Sequence, residues 1–404
     1  MNVDSSSTQI PEDTPDLIWL SNHAISVAAN AWESFAHGQG DATFTSPSSI
    51  HLLHRRGRRF VLMLNDAMHQ SNGTAHIIAR YVHQKTAELE SAVYRCVLSR
   101  LTVPTLRLLG VLQVSDANQQ HRIGGEDRAD LDAEPRTWMF IEAGEGQKFD
   151  PFMSLHRKLA ARWLAELHLK TFEIGPIKII PSRGVDYFFS LMNDAEPDIR
   201  KHLHHPQLTA IERSSMQTVL EQMRLVKSRW EVLKSICDVL PIVFCHGDYA
   251  ARNIIIRNSA VGDTKELLVY DWEDCFQGTA AMDFIQARPG STCESANIDF
   301  EQYCDAVKNC WPLVTVETLH KLGLAGRILW FIVAIAGEGE AIACEDFGKH
   351  TRNLRMYTAG LNDTFRGLGW PIVNRRTGRQ EMDSDPKTPI STIKNRRIGW
   401  GSSC

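Results

Sequence analysis

Two textures of apolar and polar positions divide the chain. Between about 42 and 150, short apolar and β-branched runs alternate with polar punctuation; beyond 150 the apolar spacing lengthens to that of helices. A helix precedes both, because Leu17, Leu20, Ala24, Val27, Ala28 and Trp32 recur at near-helical intervals. "SIHLLHRRGRRFVLMLND" and "GTAHIIARYV", interrupted by "RRGRR" and "HQSNGT", read as strands of an antiparallel sheet with glycine-containing turns. "KTAELESAVYRCVLSRL" places Leu89, Ala92, Val93, Cys96 and Val97 on one helical stripe. "PTLRLLGVLQV" and "TWMFIEA" are two more strands, separated by a polar surface loop at 115–136. "SLHRKLAARWLAELHLK" then gathers Leu155, Leu159, Trp163, Leu164, Leu167 and His168 near one face, and helical text recurs at 208–238, 315–336 and 343–366.

The expected organisation is α+β: a leader and N-terminal helix (1–41), a small antiparallel-sheet lobe (42–142), a larger mainly helical lobe (143–378) and a polar tail (379–404). The longest apolar run, "ILWFIVAIA" at 328–336, is about half of a ~20-residue membrane span and reads as a core helix, so no membrane is expected. Of the 404 residues 43% are hydrophobic, which is enough for a substantial core. A net charge of -4 carries no overall cationic footprint for nucleic acid. The basic runs "HRRGRRF" (54–60) and "KNRR" (394–397) read as solvated segments, as does "KHLHHP" (201–206). The nine cysteines form no CxxC pair, and the N-terminus lacks a secretory pattern; both point to a reducing, cytoplasmic setting.

"VFCHGDYAARNIIIRN" (243–258) concentrates the chemistry. "NIIIRN" and "ELLVYDW" (266–272) are strand candidates joined by a turn at Gly262-Asp263. Folded about Gly262, the hairpin sets Ile254 opposite Tyr270, Ile256 opposite Leu268 and Asn253 opposite Asp271, with Asp248 on the loop leading in. Oxygen donors at this density suit Mg2+, which takes one or two protein carboxylates and leaves its other positions to water and phosphate. Asp248 is then placed to accept a proton from a hydroxyl nucleophile, the division of labour of phosphoryl transfer.

"CHGDYAARNIII" together with "VYDWEDCFQGTAAMDF" resembles the aminoglycoside phosphotransferase and choline kinase family, small-molecule kinases with a protein-kinase-like two-lobed fold. The resemblance spans roughly 45–370 and rests on H-G-D-x-x-x-x-N and D-W-E. It implies that Asp248 is the catalytic base, that Asn253 and Asp271 hold Mg2+, and that His246 is structural. Asp283 would brace the catalytic loop; its other reading is the cap of a helix beginning at Phe284. Arg80 stands where the family often has a phosphate-binding lysine, with Glu90 as partner; Lys85 and Glu88 are their rivals. Backbone groups at Phe140 to Ala143, including Glu142, would meet the nucleotide base. No glycine-rich nucleotide-covering stretch is evident; "HQSNGT" and "RRGRR" are the two segments that could serve in its place.

The resemblance thus implies ATP- or GTP-dependent transfer of a phosphoryl group to the hydroxyl of an aminoglycoside-, choline- or sugar-like small molecule. A pseudokinase that keeps nucleotide or partner binding without turnover is the alternative. Glu338, Glu340 and Glu345 are candidates to meet a substrate amine, and Trp311 and Trp330 to stack on a cation.

Overall fold

The structure, a computed structural model, describes residues 15–56, 59–70, 73–101, 103–114, 135–206, 208–259, 264–285, 298–342, 347–373 and 380–381. The tail expected at 379–404, the turn at 262–263, most of the loop at 115–136 and Glu345 therefore fall largely or wholly outside the described residues.

Five strands form an antiparallel sheet: β1 (Ser49–Arg56), β2 (Arg59–Gln70), β3 (Gly73–His83), β4 (Leu108–Gln113) and β5 (Arg136–Glu142), in the order β1-β2-β3-β5-β4. β5 is a central strand, paired with β3 on one side and β4 on the other. Helix α1 (Pro15–Gln39) covers one face of the sheet. Small residues at Ala24, Ala28 and Ala31 let it approach, while Trp32 and Phe35 pack among Phe60, Leu62, Ile77, Ala79, Trp138 and Phe140. The indole N–H of Trp32 donates to the Thr45 carbonyl (2.8 Å), so the ring is buried without an orphaned donor. Gly110 of β4 lies directly over the Phe35 ring, where a Cβ would collide with it. Helix α2 (Gln84–Ala92) continues through a π-turn (Val93–Val97) and a 3-10 turn (Leu98–Arg100).

Beyond the sheet come β6 (Gln147–Lys148), α3 (Ser154–Ile174), β7 (Ser182–Arg183), α4 (Val185–His202), α5 (Ala210–Ser228) and α6 (Trp230–Cys237). They are followed by β8 (Ile242–Cys245), β9 (Ile254–Asn258), β10 (Lys265–Val269) and β11 (Phe276–Thr279). Helices α7 (Phe300–Val307), α8 (Val316–Ala341) and α9 (Phe347–Gly367) and the short β12 (Ile372–Val373) and β13 (Gln380–Glu381) complete the chain. Two three-stranded sheets arise here, β10-β9-β6 and β7-β11-β8.

The chain divides into two compact units. The first comprises Met1–Leu191 and Trp230–Ile332, and holds the five-stranded sheet and both small sheets. The second comprises Met192–Arg229 and Val333–Cys404. Within it, Gln222 donates to the Thr358 carbonyl (2.8 Å) and to Asn362 (3.0 Å). Glu338, a candidate for a substrate amine, is occupied internally: it accepts from Asn353 (2.7 Å) and Tyr357 (3.2 Å) and pairs with His350 (2.5 Å).

Helix α8 is much longer than its apolar run suggests. By length and composition it passes as a membrane span, and 61% of its most apolar window is buried inside the protein. Leu319, Leu322, Ala325, Ile328 and Leu329 are fully covered, which makes it a core helix. Gly326 lets α8 touch the backbone at Ala281, where any side chain would meet that carbonyl.

Replacing Trp32 by Ala removes the centre of the α1–sheet core. The expected loss is about 3–5 kcal/mol in the unfolding transition that reports on the sheet, checked by denaturant titration with near-ultraviolet circular dichroism.

Candidate active site

Strand β8 delivers the chain into the loop at Cys245–Asn253, and its partner β11 runs into the 3-10 turn Ala280–Phe284. Asp283 from that turn is buried, and its carboxylate accepts the backbone N–H groups of His246 (2.9 Å) and Gly247 (3.0 Å). Two charge-assisted bonds to adjacent amides fix the loop at its start. The other reading, a cap for a helix beginning at Phe284, finds no helix at its start: Asp283 lies inside the 3-10 turn, Ile285 after it is extended, and the rest of that helix would lie outside the described residues. His168, expected to be packing alone, lies 3.3 Å from the Asp283 carboxylate and 2.9 Å from the Tyr303 hydroxyl. It thus ties α3 and α7 to the brace.

Gly247 has φ +80°, and a Cβ there would strike the Asp274 carbonyl, so the Gly of H-G-D is required twice over. His246 is buried against Trp272, with ring centroids 4.5 Å apart. Its Nδ1 accepts the Asp248 N–H (3.3 Å), which places its proton on Nε2, where it donates to the Tyr270 carbonyl (3.1 Å). Both ring nitrogens are thereby used inside the loop, and the residue is structural.

Asp248 accepts from the Asn253 amide (2.9 Å) and pairs with Arg252. Asn253 is buried, and its Nδ2 also donates to the Asp248 carbonyl (2.9 Å). Those donor bonds orient its Oδ1 as the atom for a cation. The hairpin register differs by one from expectation. Ile254 pairs with Val269 and Ile256 with Leu267, and Tyr270 N–H donates to the Asn253 carbonyl (3.1 Å). The reason is the turn: Ser259 N–H already bonds the Thr264 carbonyl (2.7 Å), so the loop closes one residue earlier. Asp271 consequently lies past the ladder, at φ +70°, a conformation unusual for any residue but glycine.

Arg80 on β3 joins these pieces. Its Nη1 donates to both carboxylate oxygens of Glu90 (2.8 and 2.6 Å), and its Nη2 to Asp271 (2.8 Å). Glu90, fully buried on α2, is the partner; Glu88 is exposed and accepts from Gln84 (2.7 Å). Lys85 is exposed on the first turn of α2. Burial pushes the Glu90 carboxyl up to about 7, against the pull of Arg80 and with the help of Asp271 and Glu273. Glu273, given no role by sequence, lies 3.8 Å from Arg80. Burial and then Asp271 raise its carboxyl as well. Oxygens of Glu90, Asp271 and Glu273 all lie within 4.8 Å of one another. With Asn253 nearby along the hairpin, this is an all-oxygen donor set, and it fits a hard divalent cation.

The region expected to meet the base is only partly available. The Phe140 ring is buried in the α1–sheet core, and its backbone lies in ladders on both sides. The N–H groups of Glu142 and Ala143 donate to the Arg107 and His76 carbonyls (2.9 Å each). Glu142 and Ala143 do border a cavity of about 590 Å³, with His76, Glu145, Gln147 and Lys265 among its other walls. Arg80, Asp248 and Asp271 do not line that cavity. Sequence reasoning missed His168, Arg252 and Glu273; the last two stand inside the quoted motifs, next to Asn253 and two places after Asp271.

Arg80→Met leaves a fully buried carboxylate without its partner, and should cost about 3–5 kcal/mol. The double variant Arg80→Met/Glu90→Leu should be the more stable of the two in urea titration, because no charge is left stranded.

Comparison with known proteins agrees with this geometry. No curated protein sequence matches the chain significantly. Among solved structures, a mutant aminoglycoside 2'-phosphotransferase in complex with GDP superposes with TM-score 0.53 at 13% identity, covering 83% of this chain and 98% of that one. A microcompartment-associated aminopropanol kinase gives 0.52 at 13% identity, covering 83% and 97%. A spectinomycin phosphotransferase in complex with ADP and spectinomycin gives 0.51 at 11% identity, covering 80% and 94%. At these identities the likeness establishes the α+β, protein-kinase-like fold. A family model described as the phosphotransferase enzyme family matches residues 45–300, well over half of the chain and all of the loop and hairpin described above. The chain belongs to the phosphotransferase enzyme family.

Proposed function

We propose that this protein is a nucleotide-dependent kinase that transfers the γ-phosphoryl group of ATP or GTP to a hydroxyl group of a small molecule. One observation carries the reading. Asp248, Asn253 and Asp271 gather at the open end of one hairpin, and the buried Arg80–Glu90 pair reaches the same point. Two of the neighbouring structures hold GDP or ADP, and one of these also spectinomycin, which supports a nucleotide and a small-molecule acceptor as the two substrates.

Each residue then has a task. Asp248, oriented by Asn253 and Arg252, accepts the acceptor's hydroxyl proton at Oδ. Arg80 offers guanidinium donors to the phosphate chain while Glu90 holds the side chain in place. Asn253 Oδ1 and the Asp271 carboxylate would hold Mg2+, with Glu273 at hand. Such an ion supplies neutralisation of the phosphate charge. Asp283 and His168 keep the loop rigid, so that the hydroxyl and Asp248 meet in a fixed geometry. The six described cysteines are all free thiols, which supports a cytoplasmic setting for this chemistry.

One feature favours the second reading, a pseudokinase. The Arg80 guanidinium bonds directly to Asp271, so one carboxylate oxygen already has a cationic partner. Turnover decides between the two. With γ-labelled ATP or GTP, Mg2+ and a pooled small-molecule extract, the wild type should move label into small molecules. Asp248→Asn should lower that rate by about a hundredfold or more and keep nucleotide affinity. Nucleotide bound by both proteins, with no label moved in any extract, would establish the pseudokinase.

A further inference from the structure

A second guanidinium from the sheet reaches the same carboxylates as Arg80. Arg59 opens β2, its backbone paired with Arg56 at the end of the first hairpin. Its Nη1 lies 3.3 and 3.5 Å from the two carboxylate oxygens of Glu273, a residue 214 positions away. Arg80 Nη2 lies 3.8 Å from the same Glu273 oxygen, Oε2, that Arg59 approaches most closely. Two arginines on adjacent strands thus converge on the cluster of Glu90, Asp271 and Glu273.

The two are bound very differently. The Arg80 side chain is 11% exposed and clamped between two carboxylates at 2.6–2.8 Å. The Arg59 side chain is 43% exposed, and its contacts to Glu273 are long. A pair of that kind is weak and readily exchanged. Arg59 therefore has donors to give to a stronger anion arriving beside Arg80. A phosphate chain is such an anion, and the guanidinium fork matches its oxygens. The same reasoning accounts for the missing glycine-rich stretch. A loop that covers phosphate with backbone N–H groups needs glycines; a side-chain cation at the hairpin end does not.

We propose that Arg59 is a phosphate-binding residue of this site, resting on Glu273 and passing to the nucleotide's phosphate chain when it binds. The inference rests on the proposed function and names a recognition element within it. It makes Glu273 the resting partner that keeps the guanidinium beside Asp271.

Binding tests the proposal without need of an acceptor. Isothermal titration would compare wild type, Arg59→Ala and Arg59→Lys against the magnesium complexes of ATP, GTP and tripolyphosphate and against the nucleosides adenosine and guanosine. Arg59→Ala should weaken the preferred nucleoside triphosphate and tripolyphosphate by about ten- to a hundredfold, with nucleoside affinity unchanged. Arg59→Lys keeps the charge and loses the fork, so it should fall severalfold; it also answers the question should Arg59→Ala fail to fold. Wild-type triphosphate affinity in both variants, with a lower melting temperature of the ligand-free protein, would reduce Arg59 to a structural tether and overturn the inference alone. A wild type that binds neither triphosphate would overturn the inference together with the proposed function.

Discussion

The Arg80 guanidinium is the interaction on which the site depends. It stands on β3, holds a fully buried carboxylate from α2 and reaches an aspartate just past β10, 191 residues further on. Glu90 is too buried to stand without a partner, and an unpaired charge there would be expelled or protonated. The pair therefore sets where α2 sits against the sheet. The fork geometry matters, because Nη1 is spent on Glu90 while Nη2 remains for Asp271. A lysine gathers its three donors on one atom and lacks the planar fork that here offers one edge to each carboxylate. The strand, the helix and the segment carrying Asp271 are thus locked by one side chain.

The loop at Cys245–Asn253 is held by a different device, with backbone amides as donors. Asp283 accepts from His246 and Gly247 and is itself steadied by His168, whose other nitrogen meets Tyr303. His246 then uses both ring nitrogens to tie Asp248 to Tyr270. Each link leaves fewer conformations for the next, so the Asp248 carboxylate is oriented before any substrate arrives. Left-handed backbone at Gly247 and Asp271 makes the two sharp turns that this network needs. At Asp271, which has no glycine's freedom, such a conformation persists only where the surroundings over-determine it, and the bond from Arg80 helps to do so.

Much of this was legible in the chain. Strand patterning from 49 to 83 and the stripe at Leu89 to Val97 predicted the sheet and α2, because half-buried strands and helices must show their periods. The π-turn after Ala92 leaves no period of its own and could not be read. H-G-D and D-W-E marked Asp248 and Asp271, but the hairpin register was misjudged by one residue, since the turn chemistry between Ser259 and Thr264 decides it. His168 looked like packing because its partners, Asp283 and Tyr303, lie 115 and 135 residues away. Phe140 looked like hinge because sequence order does not reveal that β5 lies between β3 and β4. Helix α4 was hidden by Pro197, which sits inside it.

The charge at the site constrains what it can receive. Glu90, Asp271 and Glu273 bring three negative charges and Arg59 and Arg80 two positive ones, so the cluster carries one negative charge in excess when all are ionised. With Glu90 protonated, which its raised carboxyl favours below about pH 7, the sum is zero. In neither state is the cluster a net attractor for a bare nucleoside triphosphate, which carries several negative charges. A divalent cation changes the sign. Asn253 and Asp271 would hold it, and the Arg80 and Arg59 guanidiniums would be left to meet phosphate oxygens. On the proposed function, the arrangement would suit a metal–nucleotide complex better than a free nucleotide, because the same arginines hold the ligand-free site together.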